Sequence, residues 1–162
     1  DDTIVVNVQG DEPLLPPALI REVAATLAAH PEAAVATLAT PFSTADDPTA
    51  ATAVKVVRDQ QGLALYFSRA LIPFVRDAGG FDAAFPYLRH IGIYAYRVAA
   101  LKRYPLLAAT PLEEAEKLEQ LRFLEHGLRI AVGVVKEAPP PGVDCEADLQ
   151  RVEAFLRGAG AV

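Results

Sequence analysis

The chain has 162 residues, 52% apolar and 22% charged, which fits one folded domain with a sizeable core and excludes a disordered segment. Fifteen basic and twenty-one acidic residues leave a net charge of −6, which argues against a nucleic-acid groove while leaving room for a local basic cluster around a small anion. The single cysteine, Cys145, excludes an internal disulfide; no apolar run approaches the roughly 18 residues of a membrane span, and no signal peptide is visible, so a cytoplasmic protein is expected.

The chain contains no Met and opens on Asp1-Asp2-Thr3 before Ile4-Val5-Val6-Asn7-Val8. Such a β-branched run reads as a strand buried on both faces, with neighbours on each side, and predicts that a preceding part of the domain lies outside this chain. Pro16 and Pro17 introduce an amphipathic helix with Leu19, Ile20, Val23 and Leu27 on one face, stopped by Pro31. Ala34–Thr40 reads as a second strand closed by Pro41, and Phe42–Thr52 as a polar loop. Val54–Arg58 and Leu63–Ser68 flank the turn Asp59-Gln60-Gln61-Gly62, a hairpin signal.

Arg76–Phe85, with Gly79-Gly80, reads as a mobile loop; Tyr87–Tyr96 is a strand and Val98–Tyr104 a short helix ended by Pro105. Pro111–His126 is the best-marked helix: Thr110 suits the N-cap, Pro111 the first position, Glu113 the capping box and Gly127 the C-terminal cap. Ile130–Val135 is a further strand, Ala138–Gly142 a proline-rich connector and Ala147–Arg157 the last helix. The predicted fold is α/β, a mixed, mostly parallel sheet flanked by helices, which would bind ligands at the carboxyl ends of its strands.

Several residues can carry chemistry. Asp11, in Gln9-Gly10-Asp11-Glu12-Pro13 at a strand end, is a hard oxygen donor where Mg²⁺ and a phosphate can meet, or a solvated turn residue. Asp144, ahead of the last helix, is a second such donor or a plain N-cap. His90 and Tyr94 share one strand face, and Arg69 can clamp a carboxylate or stand on the surface. Spaced at 100°, Leu112, Ala115, Leu118 and Phe123 form an apolar arc that includes Glu119 and Arg122. Glu119 therefore either pairs with Arg122 or faces a polar pocket, with Gln120 at its edge. Glu114, Glu116 and Lys117 read as a solvated face.

Val6-Asn7-Val8-Gln9-Gly10-Asp11-Glu12-Pro13, Tyr66-Phe67-Ser68-Arg69-Ala70 with Ile72-Pro73, Arg89-His90-Ile91-Gly92-Ile93-Tyr94-Ala95-Tyr96-Arg97, Leu118-Glu119-Gln120-Leu121-Arg122 and Gly142-Val143-Asp144 together resemble the 3-deoxy-manno-octulosonate cytidylyltransferase (CMP-Kdo synthetase) family, in order and across essentially the whole chain. The resemblance implies a single partial domain over 1–162 of nucleotide-diphospho-sugar transferase-like (Rossmann-like) fold, with a hairpin, sugar-site and dimer subregion at about 53–104. It implies a cytoplasmic homodimer that couples CTP to the acidic sugar Kdo, releases pyrophosphate and feeds lipopolysaccharide assembly, with no nucleic-acid or membrane partner. Asp11 and Asp144 would be catalytic and hold Mg²⁺; Gln9, Arg69, His90, Tyr94, Glu119 and Gln120 would contact the sugar acid. A related acidic sugar, 8-amino-Kdo or sialic acid, is the alternative substrate, and a catalytically silent fragment the alternative for the chain as it stands. Three departures stand out. The family's glycine- and arginine-containing loop that grips the CTP phosphates is not in these residues, Leu71 replaces a usual Pro, and Cys145 replaces a usual Thr cap.

Overall fold

The computed structural model describes residues 3–10, 12–43, 46–136, 139–140, 143 and 145–159. Among them six strands form one sheet: β1 (Ile4–Asn7), β2 (Val35–Pro41), β3 (Lys55–Arg58), β4 (Ala64–Ser68), β5 (Leu88–Arg97) and β6 (Ile130–Val134). The helices are α1 (Pro17–Ala29), α2 (Val98–Arg103), α3 (Pro111–Glu116), α4 (Gln120–Glu125) and α5 (Glu146–Ala159). The order across the sheet is β4-β3-β5-β2-β6, with β1 also paired to β5.

The mixed α/β class agrees with the sequence, but the expectation of a mostly parallel sheet does not hold here. Among the described residues four of the five strand pairings are antiparallel and only β2 with β6 is parallel. The reason lies in the connections: β3 and β4 form a local hairpin, and β5 runs against β1, β2 and β3. Parallel neighbours need a long crossover, which here the helices between β5 and β6 supply only for β2 and β6.

The continuous apolar run of β2 is buried on both faces because helices cover both. Leu19, Val23 and Leu27 of α1 pack on Leu38, Ile91, Ile93 and Ala95 on one side. On the other, Val35, Ala39, Phe67 and Val132 meet Ala100, Leu118, Leu121 and Phe123. Arg97 ties α1 down: its guanidinium donates to the carbonyls of Leu27 (3.2 Å), His30 (3.3 Å) and Ala33 (2.9 Å), a cation at the negative end of the helix. β1 departs from the two-sided reading. Its residues alternate between half-buried and exposed, and β5 is its one strand partner among the described residues.

The single helix expected over Pro111–His126 is two. Lys117 turns left-handed at φ 55°, ψ 47°, ending α3, and α4 begins at Gln120. The ends obey their caps, with Glu113 reaching the Thr110 N–H (3.4 Å) and Gly127 at φ 74°. Across the break Arg122 grips Glu113 with two bonds, Nε to Oε2 at 2.7 Å and Nη2 to Oε1 at 2.6 Å. Of the two readings of Glu119, the pairing with Arg122 gives way to Glu113–Arg122, and Leu112 and Ala115 are exposed rather than part of a buried arc. Cys145 ahead of α5 keeps half of a capping box, since the Asp148 carboxylate accepts its N–H at 3.1 Å.

A left-handed backbone costs a non-glycine residue about 1–2 kcal/mol. Lys117→Gly is therefore expected to raise stability by about 0.5–1 kcal/mol after its own chain entropy is counted, read as a higher urea midpoint at unchanged slope.

Candidate functional site

On one side β5 is paired by β2 except at Gly92 and Ile93. On the other it meets β3 at Arg89 and β1 from Tyr94 to Arg97, so, among the described residues, 90–93 have no strand along that edge. A cleft of about 850 Å³ opens over this gap. The ends of β1 and β4, the middle of β5 and the break between α3 and α4 all reach it. Gln9, Arg69, His90, Tyr94, Glu119 and Gln120, the six residues expected to contact a sugar acid, all line it.

The helix break explains two of them. Had Pro111–His126 stayed one helix, Glu119 would face the core; the turn at Lys117 instead puts exposed Glu119 and buried Gln120 at the start of α4, on the cleft wall. Gln120 Nε2 is buried with no hydrogen-bond partner among the described residues. A buried amide donor left unpaired is costly, and a ligand oxygen would satisfy it.

Arg69 is held by charge. Its N–H donates to Glu116 Oε2 (2.9 Å) and its carbonyl accepts from Lys55 Nζ (2.5 Å). The fully buried Lys55 also donates to the carbonyls of Ala50 (2.9 Å) and Ala53 (2.6 Å), so all three ammonium protons are used. Burial lowers the Lys55 pKa, opposed by Glu116 and Asp47. The Arg69 guanidinium donates to the carbonyls of Glu116 (2.7 Å), Ala51 (3.2 Å) and Lys117 (3.5 Å), which uses three of its five N–H groups. Glu116 thus belongs to no solvated face. Burial opposes its charge, but bonds from Ser68, Arg69 and Tyr66 hold its carboxyl below the usual range.

A register shift shapes the floor. Thr37 pairs with Tyr94 and Leu38 with Ile91, so Gly92 and Ile93 stand unpartnered as a bulge. Four residues of regular strand span about 13 Å, yet the rings of His90 and Tyr94 lie 5.6 Å apart. Phe67 meets the edge of the His90 ring at 5.1 Å, and His90 Nε2 lies 2.9 Å from Thr37 Oγ1. Burial drives the His90 pKa from 6.5 to about 4 and the Tyr94 hydroxyl far above its ordinary value. Tyr96 is pushed up to about 12, chiefly by burial. The cleft therefore presents a neutral imidazole and protonated phenols at neutral pH: hydrogen-bonding groups beside the cations Arg69 and Lys117 and the carboxylate of Glu119.

Asp11 and Asp144 lie outside the described residues. Glu12, next to Asp11 in sequence, lines a depression of about 560 Å³ together with Pro139 and Pro140, and that depression shares His90 and Gly92 with the cleft. Among the described residues no cluster of three or more His, Cys, Asp or Glu side chains is placed to hold a metal, and no helix is long and apolar enough to cross a membrane.

Residue-by-residue reading missed Thr37, Lys55, Glu116, Tyr96 and Tyr104. A lysine inside Val54-Lys55-Val56-Val57 was a visible signal of a buried, satisfied cation; Glu116 carried none.

The fold and site define an α/β domain with a mixed sheet and a cleft that sets two cations beside hydrogen-bonding side chains. Residues 1–130 match the cytidylyltransferase family, and the chain belongs to it. Among curated relatives it is similar to the 3-deoxy-manno-octulosonate cytidylyltransferase of Dichelobacter nodosus (strain VCS1703A), 65% identical over 156 residues, covering 96% of this chain and 62% of the relative. The protein of that name from Alkalilimnicola ehrlichii (strain ATCC BAA-1101 / DSM 17681 / MLHE-1) is 55% identical over 165 residues, 99% of this chain and 64% of the relative. Among solved structures, that of CMP:2-keto-3-deoxy-manno-octonic acid synthetase complexed with CTP superposes with a TM-score of 0.85 at 39% identity, covering 96% of this chain and 62% of that one. The chain thus spans somewhat less than two thirds of the length of these relatives.

The half-buried His90 makes a signed prediction. The fold keeps it neutral to about pH 4, while the unfolded chain protonates it near 6.5. Between those values the unfolded state binds more protons, so His90 lowers stability as pH falls from about 6.5 to about 4, by up to about 3 kcal/mol. His90→Gln is expected to flatten this part of the profile in urea denaturation at pH 7 and pH 4.5.

Proposed function

We propose that the protein carrying this chain is a 3-deoxy-manno-octulosonate cytidylyltransferase, a cytoplasmic homodimer that activates Kdo with CTP for lipopolysaccharide assembly. The observation that carries the reading is the convergence of Gln9, Arg69, His90, Tyr94, Glu119 and Gln120 on one cleft, in a chain 65% identical to a relative of that name. The exposed Phe74, Phe81 and Phe85 of the 74–85 loop support a self-association surface within 53–104.

In this reading the anomeric hydroxyl oxygen of Kdo attacks the α-phosphorus of CTP. The new O–P bond forms as the bond from that phosphorus to the bridging oxygen breaks; pyrophosphate leaves with the electron pair and the hydroxyl proton passes to solvent. Such a step depends on positioning and charge neutralisation. Arg69, pinned by Glu116 and Lys55, holds the sugar carboxylate. The orphan Gln120 amide donates to a sugar oxygen, and His90, Tyr94, Glu119 and Gln9 discriminate among hydroxyls. Asp11 and Asp144 are the residues that would hold Mg²⁺: two hard carboxylates suit that ion, and Glu12, next to Asp11 in sequence, lines the depression that shares His90 and Gly92 with the cleft. When bound, Mg²⁺ supplies charge neutralisation between sugar and phosphate oxygens.

The test is pyrophosphate release from CTP with Kdo, 8-amino-Kdo and sialic acid, on these 162 residues together with whatever sequence flanks them. Kdo is expected to give the highest kcat/KM; a preference for either other sugar would overturn the choice of substrate. Arg69→Gln should raise KM for Kdo roughly tenfold to a hundredfold, the worth of a hydrogen bond to a charged group, with a smaller change in kcat. Asp11→Asn should abolish turnover at every Mg²⁺ concentration, and near-normal activity would remove Asp11 from the metal site.

A further inference from the structure

Thr37 is a polar residue in the buried run Val35-Ala36-Thr37-Leu38-Ala39, and it is wholly shielded from solvent. It sits where the register of β2 against β5 shifts. Three polar atoms converge on its hydroxyl: the Ile93 carbonyl oxygen at 2.8 Å, the Ile91 carbonyl oxygen at 3.1 Å and His90 Nε2 at 2.9 Å.

A threonine hydroxyl has one proton to give and lone pairs to receive with. Both carbonyls can only accept. Were the proton turned to Nε2, two buried carbonyl oxygens would face a bare hydroxyl oxygen at hydrogen-bond distance, an unpaired arrangement that buried sites avoid. The proton therefore goes to a carbonyl, and the lone pair of Oγ1 meets Nε2. A neutral imidazole in that position must carry its proton on Nε2 and leave Nδ1 as an acceptor. Among the described residues, the bond through Nε2 is the one hydrogen bond the ring makes, and the ring lines the cleft.

We propose that Thr37 is a positioning residue that fixes His90 as the Nε2–H tautomer, so that Nδ1 offers the cleft an acceptor which selects a ligand hydroxyl there and turns away carboxylate and phosphate oxygens. The bulge in β5, the burial of Thr37 and the two competing carbonyls build this device together. It divides the labour of the cleft: anionic oxygens belong at Arg69, neutral hydroxyls at His90. The nature of the ligand rests on the acid-sugar reading above; the tautomer does not.

The chain has three histidines, so ¹⁵N-histidine labelling resolves the ring nitrogens. In the wild type without ligand, His90 is expected to show a pyrrole-type, protonated Nε2 and a pyridine-type Nδ1. Thr37→Ser keeps the hydroxyl and should keep this pattern. Thr37→Val keeps the shape and removes the hydroxyl, and should give a tautomer mixture or the reverse tautomer. A wild-type ring protonated on Nδ1, or an unchanged pattern in Thr37→Val, overturns the assignment. If the Val variant does not fold, the wild-type and Ser spectra decide alone. Adding Kdo should move the Nδ1 resonance toward its hydrogen-bonded position while Nε2 stays protonated, and Thr37→Val should raise KM for Kdo about tenfold, with Ser restoring it. Kdo that binds by calorimetry without moving Nδ1 overturns the acceptor role. Kdo that does not bind at all overturns the acid-sugar reading and the hydroxyl selection with it, while the ligand-free spectra still judge the tautomer.

Discussion

Strand β5 is bonded to β1, β2 and β3, and both the sheet and the cleft depend on how it meets them. Gly92 and Ile93 have no partner on β2, so the strand bends at its middle. The bend draws His90 and Tyr94 together and leaves the carbonyls of Ile91 and Ile93 both within reach of the one Thr37 hydroxyl proton. The gap between β1 and β3 lies over the same residues and leaves the cleft floor open. A regular β5 would pair with β2 throughout and set residues 90 and 94 about 13 Å apart.

A second constraint is electrostatic. A fully buried ammonium is costly unless every proton finds a partner. Lys55 meets that condition with three carbonyls from two chain segments, so its satisfaction fixes the 50–53 loop against Arg69. Glu116 completes the hold from the other end of the same residue. Arg69 thus enters the cleft from a backbone gripped on both sides, which lowers the ordering cost of binding an anion.

These two constraints give the cleft its chemical character. Burial holds His90 neutral and the phenols of Tyr94 and Tyr96 protonated through the physiological range. Groups in those states donate and accept hydrogen bonds but do not readily exchange protons with a substrate near pH 7. The walls set neutral hydrogen-bonding groups beside the cations Arg69 and Lys117.

Much was legible from local chemistry. Pro17, the Asp59–Gly62 turn, Thr110, Pro111 and Gly127 mark element ends through backbone preferences that act within a few residues, and the structure keeps each of them. The residue types of the cleft were legible too, because an arginine, a histidine or a buried glutamine carries its chemistry wherever it stands. The break at Lys117, the antiparallel majority of the sheet, the bulge at Gly92 and the parts played by Thr37, Lys55 and Glu116 were not. The bonds that explain the last three residues mostly join groups far apart in sequence: Thr37 meets His90 across 53 positions and Glu116 meets Arg69 across 47. Sequence by itself determined which groups this protein could bring to a ligand, since that is a property of single side chains. Only the tertiary structure decided which of them meet and in what protonation state, since both follow from burial and from partners that only the folded chain brings together.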